Sequence, residues 1–504
     1  MRNAQFDKSL IARELLASVV VFLVALPLCM GIAIASGVPP ALGLITGVIG
    51  GIVVGFLAGS PLQVSGPAAG LAIIVWELVR DHGLAALGVI LVLAGFIQLL
   101  AGVLKIGQWF RAISPSVIFG MLAGIGILIF GAQFHVMVDD KPRASGIENL
   151  ISIPSAIYKG IFPLAGDSHH FAAMVGIVTI LTLILWTRFR PAGLKLVPAP
   201  LVAVVVATTL AAVLRLPIQY VDIPENLLES VNLLALADFS RLSQAPLILA
   251  AVAVAFIASA ETLLSASAVD RMHSGVRTNY DRELAAQGLG NMLCGLVGAL
   301  PMTGVIVRSS VNVQAGAKTR LSAIFHGIWL LAFVATMPGV LRMIPTAALA
   351  AILVHTGYKL VNPQNIRAIA QYGRFPVVIY AATVAGIVIM DLLTGVLIGI
   401  ALSIVKLVYK ISHLSIRLER QPGSNRADLY LEGAATFIRL PKLAAILDQL
   451  PEGVELHVHF DNLTYIDHAC LDLFANWQKQ REGSGGSLVV KWDGLIERYK
   501  RIAA

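Results

Sequence analysis

The chain has 504 residues, 57% of them hydrophobic and only 13% charged, with a mean hydropathy of +0.82. Soluble domains carry roughly 25% charged residues, so most of this chain is built for a solvent other than water and a string of soluble domains is excluded. The net charge of +8 does not mark a nucleic-acid binder, because the basic residues fall between apolar runs and not on one patch.

Arg2, Lys8 and Arg13 precede an apolar run from Leu15 to about Ala35. That run is too long for the apolar core of a signal peptide, so it reads as a retained first span. A helix crossing a bilayer needs about 20 apolar residues. Full-length candidates occupy residues 15–36, 40–59, 84–105, 117–136, 172–187, 197–215, 246–269, 283–300, 320–338, 345–361, 376–391 and 393–411. Two further segments are short and broken by Pro and Gly. One begins at Ser65-Gly66-Pro67-Ala68-Ala69-Gly70-Leu71 and runs to Val79; the other begins at Pro301-Met302-Thr303-Gly304-Val305 and runs to about Val313.

Charge placement tests this count. With a cytoplasmic N-terminus and both short segments crossing, the inner loops hold eighteen basic residues and the outer loops seven. The bias expected of cytoplasmic loops therefore supports fourteen segments and two cytoplasmic termini. Each short segment is third in its half, and a similar motif follows two segments later: Ile113-Ser114-Pro115 and Met343-Ile344-Pro345. Seven segments per repeat, an odd number, place the two repeats inverted in the membrane. From Ser412 charges become dense. Leu429–Leu431, residues 454–460 and residues 487–491 alternate as strands, and residues 440–450 and 471–480 read as helices. The expected domains are thus a transport domain over 1–411 and an α/β domain over 412–504.

A helix beginning in mid-membrane leaves its first amides unpaired, and together with the helix dipole they attract an anion. Small residues allow close approach to that backbone. The candidate anion site is therefore Ala68, Ala69 and Gly70 with Thr303 and Gly304. The bland alternative is that these glycines only kink or pack helices. Arg308 lies a turn or two into the second short segment; an arginine in lipid faces a cavity or a partner and would add positive potential there. Glu261 is the one carboxylate within Pro246–Val269. With Thr262 and Ser265 it forms an oxygen-only set suited to a hard cation, Na⁺ or a proton, unless it only balances Arg308. Gln98, Gln133, His326 and His355 read as helix-packing groups, Asp391 as a span end, and His169-His170 lack a third ligand. The three cysteines, Cys29, Cys294 and Cys470, show no CxxC spacing. No resident cofactor or metal is expected beyond a coupling Na⁺, and no nucleophile–base set points to an enzyme.

Several motifs carry a family resemblance. Ala25-Leu26-Pro27, Gly37-Val38-Pro39-Pro40-Ala41-Leu42-Gly43-Leu44 and Gly59-Ser60-Pro61 with Val64-Ser65-Gly66-Pro67 form one group. Asn291, Pro301, Thr303-Gly304, Arg308-Ser309-Ser310-Val311-Asn312 and Gly316-Ala317-Lys318-Thr319 form the second. Together they resemble the sulfate permease (SulP) family, bacterial relatives of the solute carrier 26 proteins, and the tail is similar to a STAS domain. The resemblance implies a polytopic α-helical membrane protein, fourteen segments in a 7+7 inverted repeat with core and gate domains, moving as an elevator. It implies anion binding between segments 3 and 10 near Ala69, Gly70, Gly304, Val305 and Arg308, a homodimer in the cell's inner membrane, and transport of sulfate, bicarbonate, chloride or dicarboxylates. Glu261 falls where some members hold an acid linked to Na⁺ or H⁺ coupling. Leu28 stands where many animal members have glutamine, and Ile32–Gly37 looks closer to the bicarbonate-carrying branch. In the tail, Ile466-Asp467-His468-Ala469 lacks the phosphorylatable serine of stand-alone anti-sigma antagonists. The expected function is therefore coupled transport of a small inorganic anion. The alternatives are an uncoupled exchanger or channel, a dicarboxylate symporter, and an uncharged-nucleobase carrier, which Arg308 disfavours.

Overall fold

A computed structural model describes residues 8–112, 114–143, 145–162, 168–194, 196–420, 424–483 and 485–490. Arg2, Ile113, Lys195 and Lys491, on which parts of the sequence reading fall, lie outside the described residues. By internal contacts the chain divides into two compact units, Met1–Ile400 and Ala401–Ala504. The division falls inside a helix, upstream of the composition change at 412.

Each expected segment contains a helix, the last of them crossing the division between the units. The first half comprises α1 (Lys8–Ala35), α2 (Pro40–Ile49), α3 (Ala72–His82), α4 (Leu84–Val103), α5 (Pro115–Met137), α6 (Ser168–Phe189) and α7 (Ala199–Leu214). The second comprises α8 (Ala245–Asp270), α9 (Tyr280–Leu296), α10 (Ile306–Gln314), α11 (Leu321–Thr336), α12 (Thr346–Leu360), α13 (Arg374–Ile389) and α14 (Leu392–Ile411). Proline opens several of them at its favoured first-turn position, including α2 at Pro40 and α5 at Pro115. A π-helical turn, Gly50–Val54, prolongs α2 to Leu57. Among the described residues seven helices are long and apolar enough to cross a membrane. α7 and α11 have 16 residues each and are shorter than the sequence reading expects. The cause is visible at α7, where Pro198 precedes it and the left-handed Arg215 (φ 47°) ends it.

Segments 3 and 10 are broken, and the break is a sheet. β1 (Ser65–Pro67) pairs antiparallel with β2 (Met302–Gly304) in the register Ser65↔Gly304, Gly66↔Thr303 and Pro67↔Met302. Lipid offers no partner to a bare backbone, so the two strands satisfy each other and polar side chains do the rest. Asn291 accepts from Met302 N at 2.7 Å and donates to its carbonyl at 3.1 Å. Ser309 Oγ accepts from Val64 N, and Asn312 donates to Leu62 O.

Packing follows the inverted repeat. α1 packs on α11 and, in mirrored fashion, α8 on α4; α2 meets α11 as α9 meets α4. α5 and α12, equivalent in the two halves, pack on each other through a reciprocal glycine contact. A Cβ on Gly126 would lie 2.6 Å from Gly357 O, and one on Gly357 would lie 2.6 Å from Gly126 O. α1, α4, α8, α9 and α11 pack as one group, and α5, α6, α7, α12 and α13 as another.

The second unit carries a sheet in the order β3 (Leu414–Arg420), β4 (Arg426–Ala435), β5 (Glu455–Ile466), β6 (Ser487–Val490), with β3 antiparallel and the other pairs parallel. The crossovers α15 (Leu440–Asp448) and α16 (His468–Glu482) bury Leu443, Leu447, Phe474 and Trp477 against Leu429, Leu456 and Val458. β3 was not read from the sequence, because charges interrupt its alternation.

Candidate functional site

The β1–β2 crossing delivers two helix N-termini to one place. A 3₁₀ turn, Ala69–Leu71, leads into α3, and Val305 leads into α10. Ala69, Gly70, Val305 and Arg308, all expected at the anion site, line one cavity of about 110 Å³. Glu261 and Ser265, one turn apart on α8, line it as well. Apolar residues of α1, α5 and α12, including Leu28, Ile125 and Leu353, close the walls. The lining thus comes from segments 1, 3 and 5 and their repeat equivalents 8, 10 and 12.

The remaining expected residues do not reach this lining. Ala68 and Thr303 are buried in the crossing beside it. Gly304 donates its amide to Thr262 Oγ1 at 3.1 Å, and the Thr262 carbonyl accepts from Gln63 Nε2 at 2.9 Å. Thr262 is therefore committed to holding β2 and stands on a different face of α8 from Glu261 and Ser265. A helix brings i and i+4 together, but turns i+1 away.

Arg308 is fully buried. Its guanidinium reaches from α10 to β1, with Nη2 3.5 Å from Pro67 O and the Cys29 thiol of α1 beside it. Gly66 leaves the room, since a Cβ there would lie 2.0 Å from Nη1. Nε and Nη1 have no hydrogen-bond partner, and among the described residues no carboxylate lies within ion-pair distance. Glu261 is not its counter-charge. The Glu261 carboxylate lies against Gly70, and its Oε2 has no hydrogen-bond partner. A Cβ on Gly70 would lie 2.7 Å from Oε2.

Two participants escape sequence reasoning. Gln63 bridges the crossing to α8, and a Cβ on Gly304 would lie 1.7 Å from its Nε2. His326, expected to be a satisfied helix residue, is fully buried with both ring nitrogens unpartnered, near the charge of Arg308. No spacing signal marks Gln63, because its partner Thr262 lies in the other repeat. Gln98 behaves as expected, bonding Ser259 and Asn291 between α4, α8 and α9.

Comparison with known proteins bears on this arrangement. The model of the sulfate permease family matches residues 11–383. The chain belongs to that family. This permease is 29% identical over 412 residues to the putative sulfate transporter YvdB of Bacillus subtilis, a match covering 79% of the chain and 74% of the relative. It is 25% identical over 407 residues to the bicarbonate transporter BicA of Picosynechococcus, covering 78% of the chain and 69% of that protein. Its fold is that of the transmembrane domain of a cyanobacterial BicA (TM-score 0.66, 24% identity, 77% of this chain and 98% of that one). It is also that of SLC26A9 (TM-score 0.78, 15% identity, 96% and 84%). The permease is accordingly a multi-pass membrane transport protein and not an enzyme, and its C-terminal sheet unit fits a STAS domain.

Proposed function

We propose that the chain is a secondary transporter of a small inorganic anion, sulfate or bicarbonate, coupled to Na⁺ or H⁺ through Glu261. The observation that carries this reading is Arg308: a guanidinium fully removed from solvent, with two nitrogens unpaired and no carboxylate in reach. An uncompensated buried charge is strongly unfavourable. A visiting anion supplies what is missing, aided by the amide end of α10. Ala69, Gly70, Val305 and Arg308 form the anion site, with Ala68, Thr303 and Gly304 shaping the backbone that presents it. Glu261 and Ser265 hold the coupling cation, and Thr262 positions β2.

Charge balance favours a monovalent guest. Arg308 and a cation at Glu261 offset one carboxylate and one monoanion, whereas a dianion would leave a buried negative charge. That supports bicarbonate over sulfate. Accumulating a monovalent anion against the membrane potential costs about 2.3 kcal/mol per 100 mV, and one co-transported cation removes that cost. The core carries the site past the gate in an elevator-like step, within a homodimer in the cell's inner membrane. Both termini are cytoplasmic, and residues 412–504 form a cytoplasmic STAS domain.

The closeness of Glu261 to Gly70 favours a second reading, in which the carboxylate only caps the start of segment 3 and the protein is an uncoupled exchanger or channel. Uptake of labelled bicarbonate and sulfate into proteoliposomes, with and without a Na⁺ or pH gradient, separates the two. Gradient-driven bicarbonate accumulation is expected. Gradient-independent exchange would establish the second reading, and absence of transport for both anions would end the first.

A further inference from the structure

The second unit exposes apolar residues beside the end of a membrane helix. Between β4 and α15 a single turn, Phe437–Arg439, leaves Phe437 68% and Ile438 47% exposed. Tyr465, opposite Ala434 at the neighbouring strand end, is 50% exposed. Isolated exposed apolar side chains are ordinary, but these continue into a groove. Ile404, Val405, Val408 and Tyr409 of α14 line it together with Ile438 and Arg439.

Arg439 fixes the depth of this turn. Its Nε donates to Ser412 O at 3.2 Å, and its guanidinium lies 5.7 Å from the Tyr409 ring. The turn is thereby tied to the last turn of α14, whose stretch Leu392–Lys410 is long and apolar enough to span a bilayer. Lys406 and Lys410 close that stretch, as basic residues do where a span meets headgroups. From Ala434 to Leu447 the sequence holds Arg439 and Lys442 and no acidic residue. An aromatic and aliphatic tip flanked by cations, at the level where a span ends, matches the boundary between acyl chains and anionic headgroups.

We propose that the Phe437–Ile438 turn inserts into the bilayer interface on the side where α14 ends, with anionic phospholipid as its partner. The inserted turn anchors the C-terminal unit to the membrane independently of contacts with any protein.

The full-length chain, reconstituted in vesicles, tests this. Cys29, Cys294 and Cys470 are buried, so a nitroxide can be placed selectively after Phe437→Cys. Ile438→Cys is a second site, should loss of the phenyl ring itself release the turn. In phosphatidylcholine–phosphatidylglycerol (3:1) vesicles, collision with oxygen should exceed collision with a water-soluble nickel chelate several-fold at both sites. The ratio should invert at the exposed strand position Asp461→Cys. It should fall towards the aqueous value in pure phosphatidylcholine, and Lys442→Glu should weaken the dependence on phosphatidylglycerol. Water-like collision at 437 and 438 would overturn the proposal. So would protection from both reagents, which would mean that protein covers the turn, and so would equal depth in both lipids.

Discussion

The carboxylate of Glu261 on α8 packs against Gly70 at the start of segment 3, so closely that a Cβ there would lie 2.7 Å from Oε2. A group read as a cation ligand thus sits on one of the two amide ends read as an anion site. In the proposed mechanism cation and anion meet at neighbouring groups: whatever neutralises Glu261 changes the field at the amide end of segment 3.

Glu261→Gln should preserve the packing against Gly70, because the side chain keeps its size and shape. Expected are unchanged thermal stability and uptake that no longer responds to a Na⁺ or pH gradient. Glu261→Ala should also lower stability by leaving a void beside Gly70. Gradient-driven uptake by the glutamine variant would remove Glu261 from coupling.

Arg308→Met should separate function from stability. Truncating one member of a buried charge pair costs about 2–5 kcal/mol of binding, so anion affinity should fall from tens-fold to thousands-fold. The empty permease should become no less stable, because an uncompensated buried charge is replaced by an apolar chain of similar length. Uptake kinetics and a thermal unfolding scan read the two effects. A large loss of stability would show that Arg308 has a protein partner.

Gly66→Ala should act through Arg308. Its methyl group would lie 2.0 Å from Nη1, and overpacking of this kind costs about 1–3 kcal/mol. In the Arg308→Met background the same substitution should be much milder. The coupling between neighbours is then measurable in a double-mutant cycle; strictly additive effects would place the guanidinium elsewhere.

In the C-terminal unit, hydrogen bonds from Arg426, and next from His459, pull the Asp428 carboxyl down to about 2. In the unfolded chain it titrates at about 3.9. A depressed carboxylate stabilises the fold at pH values above the unfolded value and loses that contribution as pH falls towards the folded one. Between roughly pH 4 and pH 2 the unit should therefore weaken, and Asp428→Asn should flatten this stretch of an acid-unfolding curve followed by circular dichroism. An unchanged curve would show that the bonds of Asp428 are not formed in solution.

The residues themselves determine the segments and the two breaks. Apolar runs, prolines and clustered glycines act locally, within a turn or two of chain. The same holds for Arg308 and Glu261, which stand out because lipid penalises charge wherever the chain later goes. Which partners these residues find is decided only by tertiary packing. Val64 meets Ser309 across 245 positions, and Asn312 meets Leu62 across 250. Through the same crossing Gly66 backs Arg308, Thr262 is drawn to Gly304 and away from Glu261, and His326 is left without a partner. Spacing along one helix says which side chains share a face. The facing helix comes from the other repeat, and its register is set by how two inverted halves interlock, a property of the folded whole that no local stretch encodes.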